Sequence, residues 1–159
     1  MVYLKKASVS DAHELHQMQV QAFLPLLYRY RDYETNPAAE EPERTLGRLQ
    51  REGSHYYFIL KNGEKVGAIR VQQLGETCRI SPIFILPEHQ GNGYAQKALA
   101  LVEELHPGTR CWELDTILQE PKLRHLYEKS GYCQTGEEIP VNDKMSLVVY
   151  QNSMKGLST

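Results

Sequence analysis

The stretch ILPEHQGNGYAQKAL at residues 85–99 joins an apolar segment to a helix-forming segment through two closely spaced glycines. It places Gln90, Gly91, Asn92 and Gly93 in consecutive positions. Neither strands nor helices favour glycine in their interiors, because glycine loses the most conformational freedom on folding. The junction therefore needs bare backbone, and the rest of the sequence indicates what that backbone does.

Length, composition and charge restrict the class of protein. The chain has 159 residues, of which 41% are hydrophobic and 24% charged, and its formal net charge is −2. These values are typical of one globular domain, so we expect a single domain over residues 1–159 with a frayed tail at 151–159. The small net charge argues against a nucleic-acid or membrane partner. No apolar run approaches the roughly 18 residues of a membrane-spanning helix.

The N-terminus and the cysteines indicate the compartment. The segment MVYLKKASVS has no long apolar run after its charged residues, which predicts that no signal peptide is present. Cys78, Cys111 and Cys133 are widely spaced and odd in number, so they form neither a zinc pattern nor a disulfide framework. We therefore expect no metal, and a cytoplasmic protein whose cysteines are small buried side chains.

Hydrophobic periodicity and turn signals predict one mixed α/β domain. An N-terminal strand is followed by two helices, the first of which Pro25 is expected to disturb. Residues 55–86 hold three strands in an antiparallel meander, with Asn62 and Gly63 as the first hairpin turn. After the quoted stretch, the pattern predicts a helix, a strand, a helix and two closing strands.

A strand that turns through glycines into a helix can bind an anion. The first N–H groups of a helix lack internal partners, and the helix dipole adds positive potential there. The N–H groups from Gly91 to Ala95 are the candidates, and Gln90 can add a side-chain amide. A turn that only caps a core helix is the alternative.

Three phosphate motifs compete for this loop. A dinucleotide-binding G-x-G-x-x-G motif is excluded because Gln96 stands where the third glycine is required. A P-loop is excluded because both its spacing and its Ser or Thr are missing. The pyrophosphate loop of acetyl-CoA transferases, [RQ]-x-x-G-x-[GA], fits every fixed position of residues 90–95.

The context extends this match. ISPIFILPEHQGNGYAQKALALVEEL, followed later by LRHLYEKSGY, resembles the GCN5-related N-acetyltransferase (GNAT) family. The resemblance implies an α/β fold of the α+β type. Its central sheet is mixed but mostly antiparallel, with about seven strands, splayed central parallel strands and about four flanking helices.

The resemblance also implies acetyl-CoA as the acetyl donor. Main-chain groups of the strand before the loop would contact the pantetheine, and the loop would hold the pyrophosphate. The strand residues are Ile83, Phe84 and Ile85, and the loop residues are Gln90, Gly91, Asn92, Gly93, Tyr94 and Ala95.

Two residues are assigned to catalysis. Tyr127 matches the family tyrosine that faces the sulfur of coenzyme A, which implies a general acid; a core residue of an amphipathic helix is the alternative. Asp115 lies twelve residues before Tyr127 and is the candidate base. A primary amine, with a pKa of about 10, must lose a proton before it attacks. Ion-paired or solvated strand carboxylates, and a water chain acting as the base, remain open.

The acceptor site is expected between the first two helices, as in the family. The segment LLYRYRDYETNPAAEE suggests an aromatic and acidic pocket, and a surface loop packed on the core is the alternative. Glu113, on the same strand face as Asp115, is assigned to substrate binding. Glu120 stands where family members often carry Asn. The substrate-binding tyrosines are Tyr28, Tyr30 and Tyr33, with Asp32 and Glu34 beside them.

These features favour an N-acetyltransferase acting by direct attack of an amine of a small molecule or peptide. A non-catalytic acyl-CoA sensor on the same fold is the second hypothesis, and a structural domain whose glycines only turn the chain is the third. The family commonly forms dimers, so a homodimer through the last strands is also considered.

Overall fold

The computed structural model describes residues 1–153, which form seven strands and four helices. The strands are β1 (Val2–Lys6), β2 (Ser54–Lys61), β3 (Glu64–Leu74), β4 (Thr77–Ile85), β5 (Cys111–Ile117), β6 (Cys133–Pro140) and β7 (Ser146–Ser153). The helices are α1 (Ala12–Tyr30), α2 (Pro42–Gln50), α3 (Tyr94–Leu105) and α4 (Pro121–Lys129). The predicted order of elements is confirmed.

The strands form one sheet in the order β1-β2-β3-β4-β5-β7-β6. Each neighbouring pair is antiparallel except β4 and β5, which are parallel and connected through α3. The predicted meander of β2, β3 and β4 is confirmed, with Asn62 and Gly63 joining its first two strands. The predicted fold class, a mostly antiparallel sheet with a central parallel pair, is therefore correct.

Helices cover both faces of the sheet. Tyr57 and Ile59 of β2 pack with α3 and α4 on one face, while Tyr56 and Phe58 of the same strand pack with α1 and α2 on the other. Successive side chains of a strand point to opposite faces, so a strand that is covered on both sides reads as an unbroken apolar run. The segment HYYFIL at the centre of the sheet has this pattern.

The length of α1 differs from the expectation that Pro25 would disturb this helix. The helix continues through Pro25 to Tyr30 and ends at Arg31, whose N–H donates to the carbonyl of Leu27 at 2.7 Å. Proline removes one hydrogen bond from a helix interior. The turns beyond Pro25 bury both Leu27 and Tyr30, and this apolar burial offsets the lost bond.

Two further expectations need correction. Residues 151–153 belong to β7 and pair with β5, so the tail expected at 151–159 does not begin at 151; residues 154–159 lie outside the described part of the chain. Cys78 is buried as expected, but Cys111 is half-buried and Cys133 is exposed. β6 is an edge strand with no covering layer among the described residues, so Cys133 has nothing to bury it.

Candidate active site

β4 and β5 separate part-way along their length. Three residue pairs join them, and the last is Arg79 with Glu113. Beyond Arg79, β4 pairs with β3 through Ile80 and residues 83–85, and residues 80–85 have no partner on the β5 side within the described chain. The register between β3 and β4 also shifts between Ile69 and Val71, so β4 bulges where it leaves β5. Backbone groups of β4 therefore face an opening in the middle of the sheet.

A cleft of about 410 Å³ occupies this opening. β4 and β5 line one side, α1 and the loop before α2 line the other, and α4 contributes Tyr127. Phe23 of α1 packs edge-to-face on Phe84 of β4, with ring centroids 5.8 Å apart. Ile83, Phe84 and Ile85, expected to contact a cofactor, all line the cleft, as does Gln90. Mostly apolar walls with a few charged groups are typical of small-molecule sites.

The glycine loop leads from the end of β4 into α3. Gly91 and Gly93 have φ of +83° and +78°, a backbone region that strains other residues. A Cβ at either position would meet no atom within 4 Å among the described residues, so the conformation, not crowding, requires glycine. The backbone N–H groups from Gly91 to Gln96 form no hydrogen bond within residues 1–153. This run of open donors at a helix start is suited to an anion.

Side chains of the loop hydrogen-bond within the loop itself. The Gln90 amide donates to the carbonyl of Ile85 at 3.0 Å, and the Asn92 amide donates to the carbonyl of His89 at 3.0 Å. The amide of Gln90, considered from the sequence as an anion ligand, is thus engaged in joining the loop to β4. The open donors are backbone groups.

Tyr127 reaches the cleft from the α3 and α4 side of the sheet. Its ring is buried and lies 6.3 Å, centroid to centroid, from Tyr132 and also from Tyr150. Burial, and to a smaller extent the negative charge of Asp115, raises the pKa of Tyr127 well above its ordinary value. The hydroxyl therefore stays protonated at neutral pH and is available as a donor.

The two carboxylates of β5 share one cation. Arg79 Nη1 lies 2.7 Å from Glu113 Oε1, and Arg79 Nη2 lies 2.5 Å from Asp115 Oδ2. The three side chains are each about 30% exposed. Arg79 and Asp115 line the cleft, whereas Glu113, assigned to substrate binding from the sequence, lies outside its lining. The ion-paired arrangement, one of the alternatives from the sequence, is the one that the structure contains.

The three tyrosines expected in the acceptor site do not come together. Tyr28 and Tyr33 are 68% and 63% exposed, and neither lines the cleft. Tyr30 is buried and donates to the Glu120 carboxylate. Because α1 extends to Tyr30, residues 28 and 30 lie roughly 200° apart around the helix. These tyrosines therefore do not line the cleft, whereas Asp32 and Glu34 do.

Glu120, which departs from the family pattern, joins α1 to α4. Its carboxylate accepts hydrogen bonds from Tyr30 and from Arg29 Nη1, the latter at 2.6 Å. Glu120 itself is the residue before the first turn of α4. The end of α1 is thus attached to the start of α4, the helix that carries Tyr127.

A basic group on α2 was not found from the sequence. Arg48 binds both carboxylate oxygens of Glu40, at 2.6 and 2.9 Å, and Gln19 also donates to Glu40 at 2.9 Å. Arg44 is 65% exposed, and its closest approach to Glu40 is 3.8 Å. Glu40, Arg44 and Arg48 all line the cleft. Arg44 and Arg48 are four residues apart on α2, and this spacing is the helical signal that was available in the sequence.

Arg70 is buried behind this group. Its guanidinium donates to Ser54 Oγ at 2.8 Å, to the Ser81 carbonyl at 2.8 Å and to Gln72 Oε1 at 2.6 Å, all neutral acceptors. Burial and the nearby Arg48 lower the pKa of Arg70 to about 10. Arg70 therefore remains a cation at neutral pH and also fixes β4 at its bulge.

Residues 1–153 contain no group of three or more His, Cys, Asp or Glu side chains placed to hold a metal ion. None of the helices in the same range has both the length and the apolar character needed to cross a membrane.

Comparison with known proteins gives a family match. The model of the acetyltransferase (GNAT) family matches residues 13–132. No curated protein sequence matches the chain significantly.

Solved structures with the same fold are numerous. An acetyltransferase from Thermus thermophilus has 18% sequence identity and a TM-score of 0.75, with 97% of each chain covered. The ribosomal-protein-S18-alanine N-acetyltransferase from Escherichia coli has 16% identity and a TM-score of 0.76, over 97% of this chain and 94% of that one. The spermidine N-acetyltransferase from Vibrio cholerae, solved with CoA and spermine, has 17% identity and a TM-score of 0.75, over 99% and 98%. At these identities the likeness establishes the fold.

Proposed function

The chain belongs to the acetyltransferase (GNAT) family, and we propose that it is an N-acetyltransferase that moves the acetyl group of acetyl-CoA to a primary amine. The acceptor is a small molecule or a peptide. Some structural relatives act on such amines: the Escherichia coli enzyme is named for a protein alanine, and the Vibrio cholerae enzyme was solved with spermine.

One observation carries the proposal: the open N–H groups from Gly91 to Gln96 adjoin the opening between β4 and β5. A pyrophosphate fits the first feature, because backbone donors at a helix start favour a multiply charged anion. An extended amide-containing chain fits the second, because it can take the place of a missing strand partner. Coenzyme A has both parts in sequence. Residues 83–85 are proposed to hold the chain, and residues 90–95 the pyrophosphate.

The donor supplies a thioester whose C–S bond breaks as the amine nitrogen forms a bond to the carbonyl carbon. An ammonium acceptor loses two protons in all: one goes to a base and then to solvent, and one passes overall from nitrogen to sulfur. The protein has to manage both protons. Tyr127, neutral and facing the cleft, is proposed to donate a proton towards the leaving sulfur. Asp115, 29% exposed in the cleft, is proposed to accept the amine proton, directly or through one water.

The ion pair with Arg79 holds the Asp115 carboxylate in one orientation. Only one of its oxygens contacts Arg79, which leaves the other for the acceptor. We therefore propose that Asp115 orients the ammonium group of the acceptor and receives its proton. Glu113 is proposed to hold the Arg79 guanidinium in position.

The proposal is tested by measuring coenzyme A binding by calorimetry and thiol release from acetyl-CoA with a panel of amines. Binding at 100 times the dissociation constant is expected to stabilise the fold by about 2.7 kcal/mol. Coenzyme A binding together with thiol release supports an N-acetyltransferase. Coenzyme A binding without thiol release for any amine supports a non-catalytic acyl-CoA sensor. If coenzyme A does not bind, both hypotheses are removed.

Two further expectations stay as proposals. A reducing compartment, the cytoplasm, is proposed because all three cysteines are free; cell fractionation tests it. A homodimer through β6 and β7 is tested by light scattering, in which a monomer at micromolar concentration would count against it.

A further inference from the structure

The α2 side of the cleft carries more positive than negative charge. Two guanidinium groups, of Arg44 and Arg48, line the cleft together with one carboxylate, that of Glu40. Arg48 occupies both Glu40 oxygens. The buried Arg70 lies outside the cleft lining and contacts neutral groups only. Arg44 comes no closer to Glu40 than 3.8 Å and its side chain is 65% exposed. Its terminal nitrogens are therefore available for an anion in the cleft.

The remaining charged groups of the cleft are mostly acidic. Arg79 on β4 pairs with two carboxylates of β5, those of Glu113 and Asp115, of which only Asp115 lines the cleft. In the loop before α2, the Asp32 carboxylate accepts from the N–H groups of Glu34 and Thr35, at 3.1 and 2.9 Å, and from the Thr35 hydroxyl. It has no cation partner within the described chain. This part of the cleft favours a cation such as an ammonium group.

Apolar side chains and several strand widths separate the two kinds of charge. α2 packs on β2, and β5 is three strands away in the sheet. The usual strand spacing makes this about 14 Å, and the distance is larger at Asp115, where β4 and β5 have separated. The long Arg44 side chain shortens this gap but does not close it. Phe23, Leu26 and Met145 contribute apolar surface to the cleft.

Resting on the proposed acetyltransferase activity, we propose that the acceptor is an amine joined by an apolar spacer to a carboxylate. The carboxylate binds Arg44 at the α2 side, and the ammonium binds near Asp115, beside Tyr127. An α-amino acid is too short to reach both groups. A polyamine would place a second cation against Arg44, which disfavours it.

The test compares probes that differ in one group. Acetylation of 6-aminohexanoate is measured against 6-aminohexanamide, which has the same amine and spacer but no charge, and against glycine and 1,6-diaminohexane. We expect kcat/KM for the acid to exceed that for the amide by about tenfold or more, as a charge-assisted hydrogen bond provides. The preference is expected mainly in KM, because the anion binds away from the reacting atoms.

Arg44→Gln is expected to reduce the acid-to-amide ratio to about one. Arg51→Gln is the matched control, since Arg51 follows the same helix but lies outside the cleft lining, and it is expected to keep the ratio. Equal kcat/KM for acid and amide, or a preference for glycine or the diamine, overturns the inference while leaving acetyltransferase activity in place. The inference is also overturned if coenzyme A binds but 6-aminohexanoate is neither bound nor acetylated. Failure to bind coenzyme A removes the proposed function itself.

Discussion

Arg79 Nη2 lies 2.5 Å from Asp115 Oδ2, so the carboxylate proposed to accept the amine proton is already held by a cation. The same guanidinium binds Glu113, two residues earlier on β5. Of the two acids, Asp115 lines the cleft and Glu113 does not. This difference separates a catalytic role from a structural one and allows each acid to serve as the control for the other.

Asp115→Asn is expected to lower kcat by about 10²-fold or more, the usual contribution of a positioned acid or base. Glu113→Gln removes a carboxylate from the same ion pair and is expected to change kcat only slightly. The measurement is steady-state kinetics of both variants, with coenzyme A affinity as a check on folding. An equal loss in both variants would mean that the ion pair acts structurally. Full activity of Asp115→Asn would leave water as the base.

Tyr127→Phe is expected to lower kcat by about 10²-fold because the thiolate loses its proton donor. Coenzyme A affinity is expected to be unchanged, since the ring and its packing remain. Tyr132→Phe is the control: its ring lies 6.3 Å from that of Tyr127, and its hydroxyl is buried. Single-turnover rates distinguish the two, and a Tyr127→Phe enzyme as fast as the unchanged protein removes Tyr127 from the mechanism.

Gly93→Ala is expected to weaken coenzyme A binding, because the left-handed φ of +78° strains alanine and moves the N–H groups that start α3. The strain alone is expected to lower the free energy of unfolding by about 1–3 kcal/mol. Gly75→Ala introduces the same kind of strain at φ +65° in the turn between β3 and β4, where a Cβ also meets no described atom within 4 Å. Both variants are measured by urea unfolding and calorimetry. Similar binding losses in the two would show that only stability had changed.

Two histidines at the other end of the sheet are expected to make stability depend on pH. The rings of His55 and His106 lie 4.8 Å apart, and the Tyr57 hydroxyl is 3.1 Å from His106 Nε2. Burial lowers the pKa of both histidines, and the charge of Lys6 adds to the effect. The unfolded chain therefore takes up protons near pH 6.5, where the folded chain does not. The free energy of unfolding is expected to fall as the pH drops below that value and to show no such contribution well above it.

Urea unfolding at about pH 8 and about pH 5.5 checks this dependence. His55→Gln is expected to reduce the loss of stability at the lower pH, because one of the two groups no longer titrates. His13→Gln, at an exposed position of α1, serves as the control and is expected to leave the loss unchanged. An unaltered pH dependence in His55→Gln would assign the effect to other groups.

The sequence was sufficient to predict the order of helices and strands and the position of the glycine loop, because periodicity, turn residues and helix starts are local signals. Asn62 and Gly63 predicted the first hairpin correctly, and the strand before the loop was placed correctly. α1 was misjudged at Pro25, where tertiary burial of Leu27 and Tyr30 outweighed a local helix breaker.

Side-chain partners across distant elements could not be predicted in the same way. Arg79 and Asp115 are 36 residues apart, and Arg29 and Glu120 are 91 apart. No local pattern reports such pairs, because they depend on how strands and helices pack. The three tyrosines show the same limit: nearness in sequence did not bring Tyr28 and Tyr30 to one side of α1, and Tyr33 lies beyond the end of that helix.

The short pairing of β4 with β5 also affects how the protein unfolds. Four strands, β1–β4, and three strands, β5–β7, are joined in the sheet by three residue pairs that end at Arg79. One hydrophobic core spans both parts. Without a bound ligand, amide hydrogens beside the opening are nevertheless expected to exchange with solvent at a lower free energy of opening than those of the shared core. A ligand that bridges the opening would raise that free energy on both sides of it. Hydrogen exchange in the free and bound protein would then report, amide by amide, how far binding completes the fold.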